Sequence, residues 1–248
     1  MIYELSDMTK AYGLFAGWEE TMIYSCLQQI MGKVYVTDTE HPLSASAVIG
    51  CFAFFAGVPD AELLEKIPAG EAILVPQNQR WAAVIERKFP EAERTSRYAT
   101  RKDIGFSPER LRRLAGNVPE GYEIRKIDGT LYDLALQGPY TRDFAAGFSS
   151  KEQYLAIGLG FAAVKDGKIA AVASSFSRFG KGIEIEVDTV PEERRKHLAA
   201  ACCASLMLEC FSCGLYPSWD AATLISVKLA EKLGYHYSHD YFAYLIHG

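Results

Sequence analysis

The sequence predicts an α/β chain built on a mixed (α+β) sheet, and three observations carry that reading. Short runs that alternate apolar and polar residues are separated by segments whose apolar residues recur at helical spacing. Lys165-Asp166-Gly167-Lys168 stands between two alternating runs, 159–165 and 168–177, and a Gly after Asp between such runs marks a hairpin turn. Apolar residues make up 49% of the 248, enough for one large core or two modest ones.

Residues 15–31 carry helical spacing, and 33–37 and 44–55 read as strands joined near His41-Pro42. A helix follows Pro59-Asp60 to Lys66, then a strand over 72–75 stopped by Pro76, then a helix over 77–88. Residues 94–101 suit a further strand, and 107–115 a short basic helix with Ser107 as N-cap and Pro108 in the first helical position. Gly116 to Gly121 reads as a linker, which divides the chain into an α/β region over 1–118 and a second domain over 119–248.

In the second domain 122–127 is a strand, 131–148 is mostly helical, and 149–152 begins another short helix. The hairpin 159–177 and a third strand over 182–190 precede a helix from about 193 to 213, a strand at 215–218, a helix over 222–233 and a last strand over 235–246. The first half shows much the same order, which points to a tandem with a degenerate N-terminal copy.

Net charge is −5 with both signs interspersed, so no polybasic groove suggests a nucleic-acid partner. No apolar stretch reaches the roughly 18 residues of a membrane span and no signal-peptide pattern opens the chain, so a cytoplasmic protein without membrane contact is expected. Six cysteines include Cys210 and Cys213 in a CxxC, a spacing that suits zinc or redox work. No second pair completes four ligands, and buried helix thiols are the plainer reading. No metal is implied.

The informative segment runs from Ile183 through Val190-Pro191 to Ala199, a strand turning into a basic helix start. The first N–H groups of a helix lack partners within it and the helix dipole adds positive charge there, so a diphosphate suits the place. Arg194, Arg195 and Lys196 add full charges. Downstream, Tyr216-Pro217-Ser218-Trp219-Asp220 leads into Leu229-Ala230-Glu231-Lys232-Leu233-Gly234-Tyr235.

Thr189, Val190, Pro191, Arg194, His197 and Ala199 resemble the acyl-CoA loop V-x-P-x-x-R/Q-x-x-G-x-G/A of the GNAT superfamily, and the second segment resembles its strand, helix and "EKLGF" ending. The resemblance is to a bacterial subgroup with an extra N-terminal region, and it is best from Gly158 onward. It implies acetyl-CoA as co-substrate, held by Val187, Asp188, Thr189, Arg194, Arg195, Lys196, His197, Leu198 and Ala199, with Thr223 and Ser226 of the next helix. It further implies a splay between the strands at 187–189 and 216–218. His197 departs from the family's Gly, and the family's helical Asn and proton-donating Tyr are absent near Thr223 and Ala230.

Alternation puts Glu184, Glu186 and Asp188 on one face of their strand. Glu186 or Glu184 suits a base for a cationic amine, although a solvated sheet face explains the row equally well. Trp219, Asp220 and Ser175 are candidates for acceptor binding, with Asp220 the favoured cap of the next helix and serines on a polar hairpin face needing no special account. His236 and His239 read as exposed strand and turn residues. The expected activity is acetyl transfer from acetyl-CoA to a primary amine of a small molecule or peptide, in a pocket between the halves. A non-catalytic acyl-CoA-binding or interaction module is the runner-up, and a homodimer is left open. The acidic segment 56–62 predicts a single cofactor site per chain.

Overall fold

A computed structural model describes residues 1–145 and 147–247. The elements in chain order are β1 (Tyr3–Glu4), α1 (Thr21–Leu27), β2 (Lys33–Val36), β3 (Ser44–Ile49), β4 (Phe52–Gly57), β5 (Ala72–Pro76), α2 (Gln79–Lys88), β6 (Glu93–Thr100), α3 (Pro108–Ala115) and β7 (Glu123–Lys126). They continue as α4 (Gly129–Gln137), α5 (Lys151–Ile157), β8 (Gly160–Lys165), β9 (Lys168–Phe179), β10 (Gly182–Thr189), α6 (Leu198–Ser212), β11 (Tyr216–Ser218), β12 (Asp220–Ala221), α7 (Leu224–Leu233) and β13 (Tyr237–Ile246).

The chain forms two compact units, one of Met1–Arg97 with Asp240–Gly248 and one of Tyr98–His239. The break therefore falls after Arg97, ahead of α3, rather than in the Gly116–Gly121 stretch. Leu111 of α3 explains the difference, because it is fully buried in the same core cluster as Leu206 and Leu233.

In the first unit the strands lie in the order β1-β2-β3-β4-β5-β13-β6. What the alternation suggests as one strand over 44–55 is a hairpin, β3 and β4, turning at Gly50 (φ 53°) and Cys51. The helix expected over 61–66 is a 3-10 turn capped by Asp60, whose carboxylate accepts from Glu62 N–H. Phe55, Leu63, Trp81 and Tyr244 fill this unit's core.

The second unit is a five-stranded sheet, β11-β10-β9-β8-β7, antiparallel except where β10 pairs parallel with β11. Alanines 163, 171 and 173 on one face let α6 lie close, with Leu198, Cys202 and Leu206 directed at them. On the other face Val172 and Ala162 pack with Leu131, Phe144 and Tyr154 of α4, the 3-10 turn Arg142–Ala145 and α5. The helix expected over 131–148 thus ends at Gln137, where Gly138 and Pro139 follow.

Both halves of the chain run in one order: three antiparallel strands, a crossover to a parallel strand, a helix and a final strand. They differ where it matters for a site. β4 pairs with β5 along four successive positions, from Phe52 with Ile73 to Phe55 with Pro76. β10 pairs with β11 only from Gly182 with Tyr216 to Glu184 with Ser218.

Candidate active site

Gly182 fixes the closed end of the β10/β11 pair, since a Cβ there would stand 2.0 Å from the Tyr216 carbonyl oxygen. From Ile185 to Thr189 β10 has no ladder to β11, so backbone N–H and C=O groups face an opening between parallel strands. The β9 ladder slips by one residue between Glu184 and Ile185, which leaves Phe176 as the extra residue and twists β10 at the point where the opening begins.

The opening leads to the loop 190–197, and α6 starts at Leu198 rather than near 193. Pro191–Glu193 form a 3-10 turn, and Arg195 (φ 63°) and His197 (φ 66°) take left-handed backbone conformations that an α-helix does not admit. His197 is the N-cap residue but gives no side-chain cap, and among the described residues the first N–H groups of the 15-residue α6 have no side-chain acceptor. The His197 ring turns to α7, with Nδ1 3.1 Å from Lys232 Nζ.

Arg194 and Lys196 differ in what holds them. Arg194 is exposed and gives only its Nε–H, at 3.4 Å, to the Thr189 carbonyl, so its two terminal nitrogens carry no hydrogen bond among the described residues. Lys196 pairs with Glu193 at 2.7 Å and donates to Tyr122 Oη at 3.1 Å. Its charge is therefore already partnered, which qualifies the expectation of three available cations. Its hydrogen bonds to Glu193 and Tyr122 hold its pKa above the usual lysine value.

On the opposite face from α6, Glu184, Glu186 and Asp188 follow one another along β10 as alternation requires. Glu184 is 3% exposed and stands in register between Ser177 of β9 and Ser218 of β11. Glu186 is half-buried opposite Ser174, whose hydroxyl lies 2.9 Å from Tyr154 Oη. Burial, then the nearby Asp143 carboxylate, push Asp188 up to about 6, against a smaller opposing pull from Arg194.

Several residues expected at the site make hydrogen bonds within the fold. Ser175 accepts from Leu159 N–H at 2.9 Å and donates to Leu159 C=O at 3.2 Å, tying the start of β8 to β9. Trp219 is buried, with its indole N–H 3.2 Å from Ser226 Oγ. Asp220 is not the helix cap, because it is held in strand β12 opposite Ala99; Thr223 caps α7, accepting from Ser226 N–H at 3.2 Å. Thr223 Oγ1 thus serves the start of α7 and Ser226 Oγ the Trp219 indole. Ala230 is buried and has only a methyl side chain, so α7 offers no acidic group at that position.

Lys102 is a residue that no sequence pattern singles out. It lies in the irregular segment after β6 and reaches β11, donating to Ser218 Oγ at 3.0 Å and to Trp219 C=O at 3.3 Å.

A strand opening before an uncapped helix, with an unbound arginine fork at the turn, suits a ligand that joins amides to a diphosphate. Comparison with known proteins identifies the family. The family model for GNAT acetyltransferase matches residues 12–244. This chain belongs to the GNAT acetyltransferase family. A GCN5-related N-acetyltransferase-like protein of Streptococcus suis shares 42% identity with this GNAT protein, covering 96% of this chain and 97% of that one, with a TM-score of 0.93. An uncharacterised N-acetyltransferase of Bacillus subtilis, YdfB, is 24% identical over 87% of this chain and 86% of its own. A tandem GNAT protein from the clavulanic acid biosynthesis pathway has the same fold at 12% identity, with a TM-score of 0.55 over 100% of this chain and 98% of its own. Among the described residues no helix is long and apolar enough to cross a membrane.

Proposed function

We propose that this GNAT enzyme transfers an acetyl group from acetyl-CoA to a primary amine of a small molecule or peptide, using one site per chain in the second unit. The observation that carries this reading is the opening of β10 from β11 beyond Glu184 and Ser218, ending at the uncapped α6. The β10 backbone over 187–189 hydrogen-bonds the pantetheine amides, and the α6 N-terminus with Arg194 receives the diphosphate.

The first unit supports a single site, because β4 and β5 stay paired and a 3-10 turn stands where α6 stands in the second. Glu186, half-buried on the face away from α6, takes the proton that the neutral attacking amine loses as its nitrogen bonds to the thioester carbon, and Glu184 beside it keeps the site negative for a cationic acceptor, which gives its first proton to solvent. Holding the amine against the thioester supplies much of the acceleration. We place this work in the cytoplasm.

Calorimetric titration with acetyl-CoA, followed by a primary-amine panel assayed for released thiol, tests the proposal. Micromolar binding and turnover by at least one amine are expected, with Glu186→Gln losing about a hundredfold in kcat at unchanged acetyl-CoA affinity. Binding without any turnover across the panel would leave a non-catalytic acyl-CoA module, and absence of binding would sink the reading.

A further inference from the structure

The closed end of the β10/β11 pair holds a polar row across three strands: Ser177, Glu184 and Ser218 lie in register, all buried. Cα partners in adjacent strands share a sheet face, so the row lies on the face away from α6. Lys102 ends the row with its ammonium on Ser218 Oγ and the Trp219 carbonyl, both neutral acceptors. Among the described residues Lys102 has no carboxylate within ion-pair distance, whereas Lys10, Lys33, Lys126, Lys151 and Lys196 each have one. A partly buried ammonium without a counter-ion, where two parallel strands begin to part, is a fixed positive charge looking for an anion.

Resting on the acetyl-CoA reading above, we propose that Lys102 is the proton donor to the thiolate that leaves at the closed end of the strand opening. As the amine nitrogen bonds to the thioester carbonyl carbon, the C–S bond breaks and its electron pair goes to sulfur. The ammonium of Lys102 gives one proton to that sulfur, forming the CoA thiol, while the proton of the attacking amine goes to Glu186. Solvent then returns a proton to the Lys102 amine and takes one from the Glu186 carboxyl, so the site ends as it began. A lysine ammonium is an acid of the kind that can hand a proton to a departing thiolate. Position 230 of α7 carries only the methyl group of Ala230.

The test reads the thiol and needs no acceptor. Kd values are measured for free CoA and for acetyl-CoA between pH 6.5 and 9.5, and the ratio of the two is followed. Acetyl-CoA has no ionisable thiol, so the ratio cancels titration of the surrounding Arg101, Asp103, Glu184, Tyr216, Asp220 and His236. If Lys102 receives the thiolate, free CoA gains about tenfold in affinity over acetyl-CoA across that range, as an opposite charge lowers the bound thiol's pKa by about one unit. Lys102→Met abolishes the gain, and Lys102→Arg, which keeps the charge, retains it. Acetyl-CoA binding with the same CoA gain in Lys102→Met as in the unaltered protein overturns the assignment alone. Failure of acetyl-CoA to bind the unaltered protein overturns the cofactor reading with it.

Discussion

Lys232 of α7 lies 3.1 Å from the Nδ1 of His197, a residue held at φ 66° where the loop enters α6. The imidazole leans away on α7 while its backbone takes the left-handed conformation that explains the Gly usual at this point of the loop. Left-handed backbone costs a residue with a Cβ about 1 kcal/mol. One exposed contact to Lys232 returns little of it.

Comparing His197→Gly with His197→Ala isolates the backbone effect, because both lose the contact to Lys232. The Gly variant is expected to exceed the Ala variant in unfolding free energy by about 1 kcal/mol in urea, despite glycine's larger unfolded-state entropy. Equal stability of the two would mean the loop relaxes when the histidine is removed.

Arg194 and Lys196 are predicted to contribute unequally to acetyl-CoA binding. Lys196 must loosen its part-buried pair with Glu193 before its charge turns to a diphosphate. Arg194 gives up nothing comparable. Arg194→Ala should raise the Kd for acetyl-CoA about tenfold and Lys196→Ala about two- to threefold by calorimetry. A larger loss from Lys196→Ala would show that the pair with Glu193 opens in the complex.

The cysteines of α6 test the plainer reading of the CxxC. Burial pushes the thiols of Cys202 and Cys210 up to about 12 and Cys203 well above its usual value, and Cys26 in the first unit is likewise raised to about 12. Cys213 is exposed and Cys51 half-buried. With an aromatic disulfide reagent at neutral pH, the folded protein is expected to show one fast equivalent from Cys213 and a slower one from Cys51, the other four appearing only on unfolding. Fast loss of two thiols through a Cys210–Cys213 disulfide would contradict this.

Where one strong local signal governs, the sequence is read well. Ser107 before Pro108, Asp166-Gly167 in the β8/β9 turn and the period-two row of Glu184, Glu186 and Asp188 all stand where propensity and alternation put them. The failures come from contacts between distant residues. Glu193 is a good helix former, yet it goes to Tyr122 and Lys196, and the helix begins only after two left-handed residues. Asp220 has the chemistry of a cap, but pairing with Ala99 keeps it in a strand and passes the role to Thr223. Lys102 has no neighbouring pattern at all, since its partners Ser218 and Trp219 lie more than a hundred residues away.

Asp188 gives the protein a pH dependence of definite sign. Its carboxyl titrates at about 6 in the folded chain against 3.8 for an unburied aspartate, because burial and then Asp143 disfavour the charge, against a smaller pull from Arg194. The folded state therefore binds the proton more tightly than the unfolded state, and stability falls as pH rises from about 4 through 6, staying low above that. Two units at about 1.4 kcal/mol each set a ceiling near 3 kcal/mol, and partial solvent exposure brings the expected loss to roughly 1 to 2 kcal/mol. Asp188→Asn removes the charge, so its advantage over the unaltered protein should be small at pH 4.5 and grow to that amount at pH 7.5 in urea unfolding. A diphosphate bound at α6 and Arg194 would neutralise a cation that favours the Asp188 charge, so acetyl-CoA should raise this pKa further and be taken up with a fraction of a proton near pH 6.5. Calorimetry in two buffers of different ionisation enthalpy measures that uptake, and its absence in Asp188→Asn would assign it to this carboxyl. Equal uptake in both proteins would move the effect to another group.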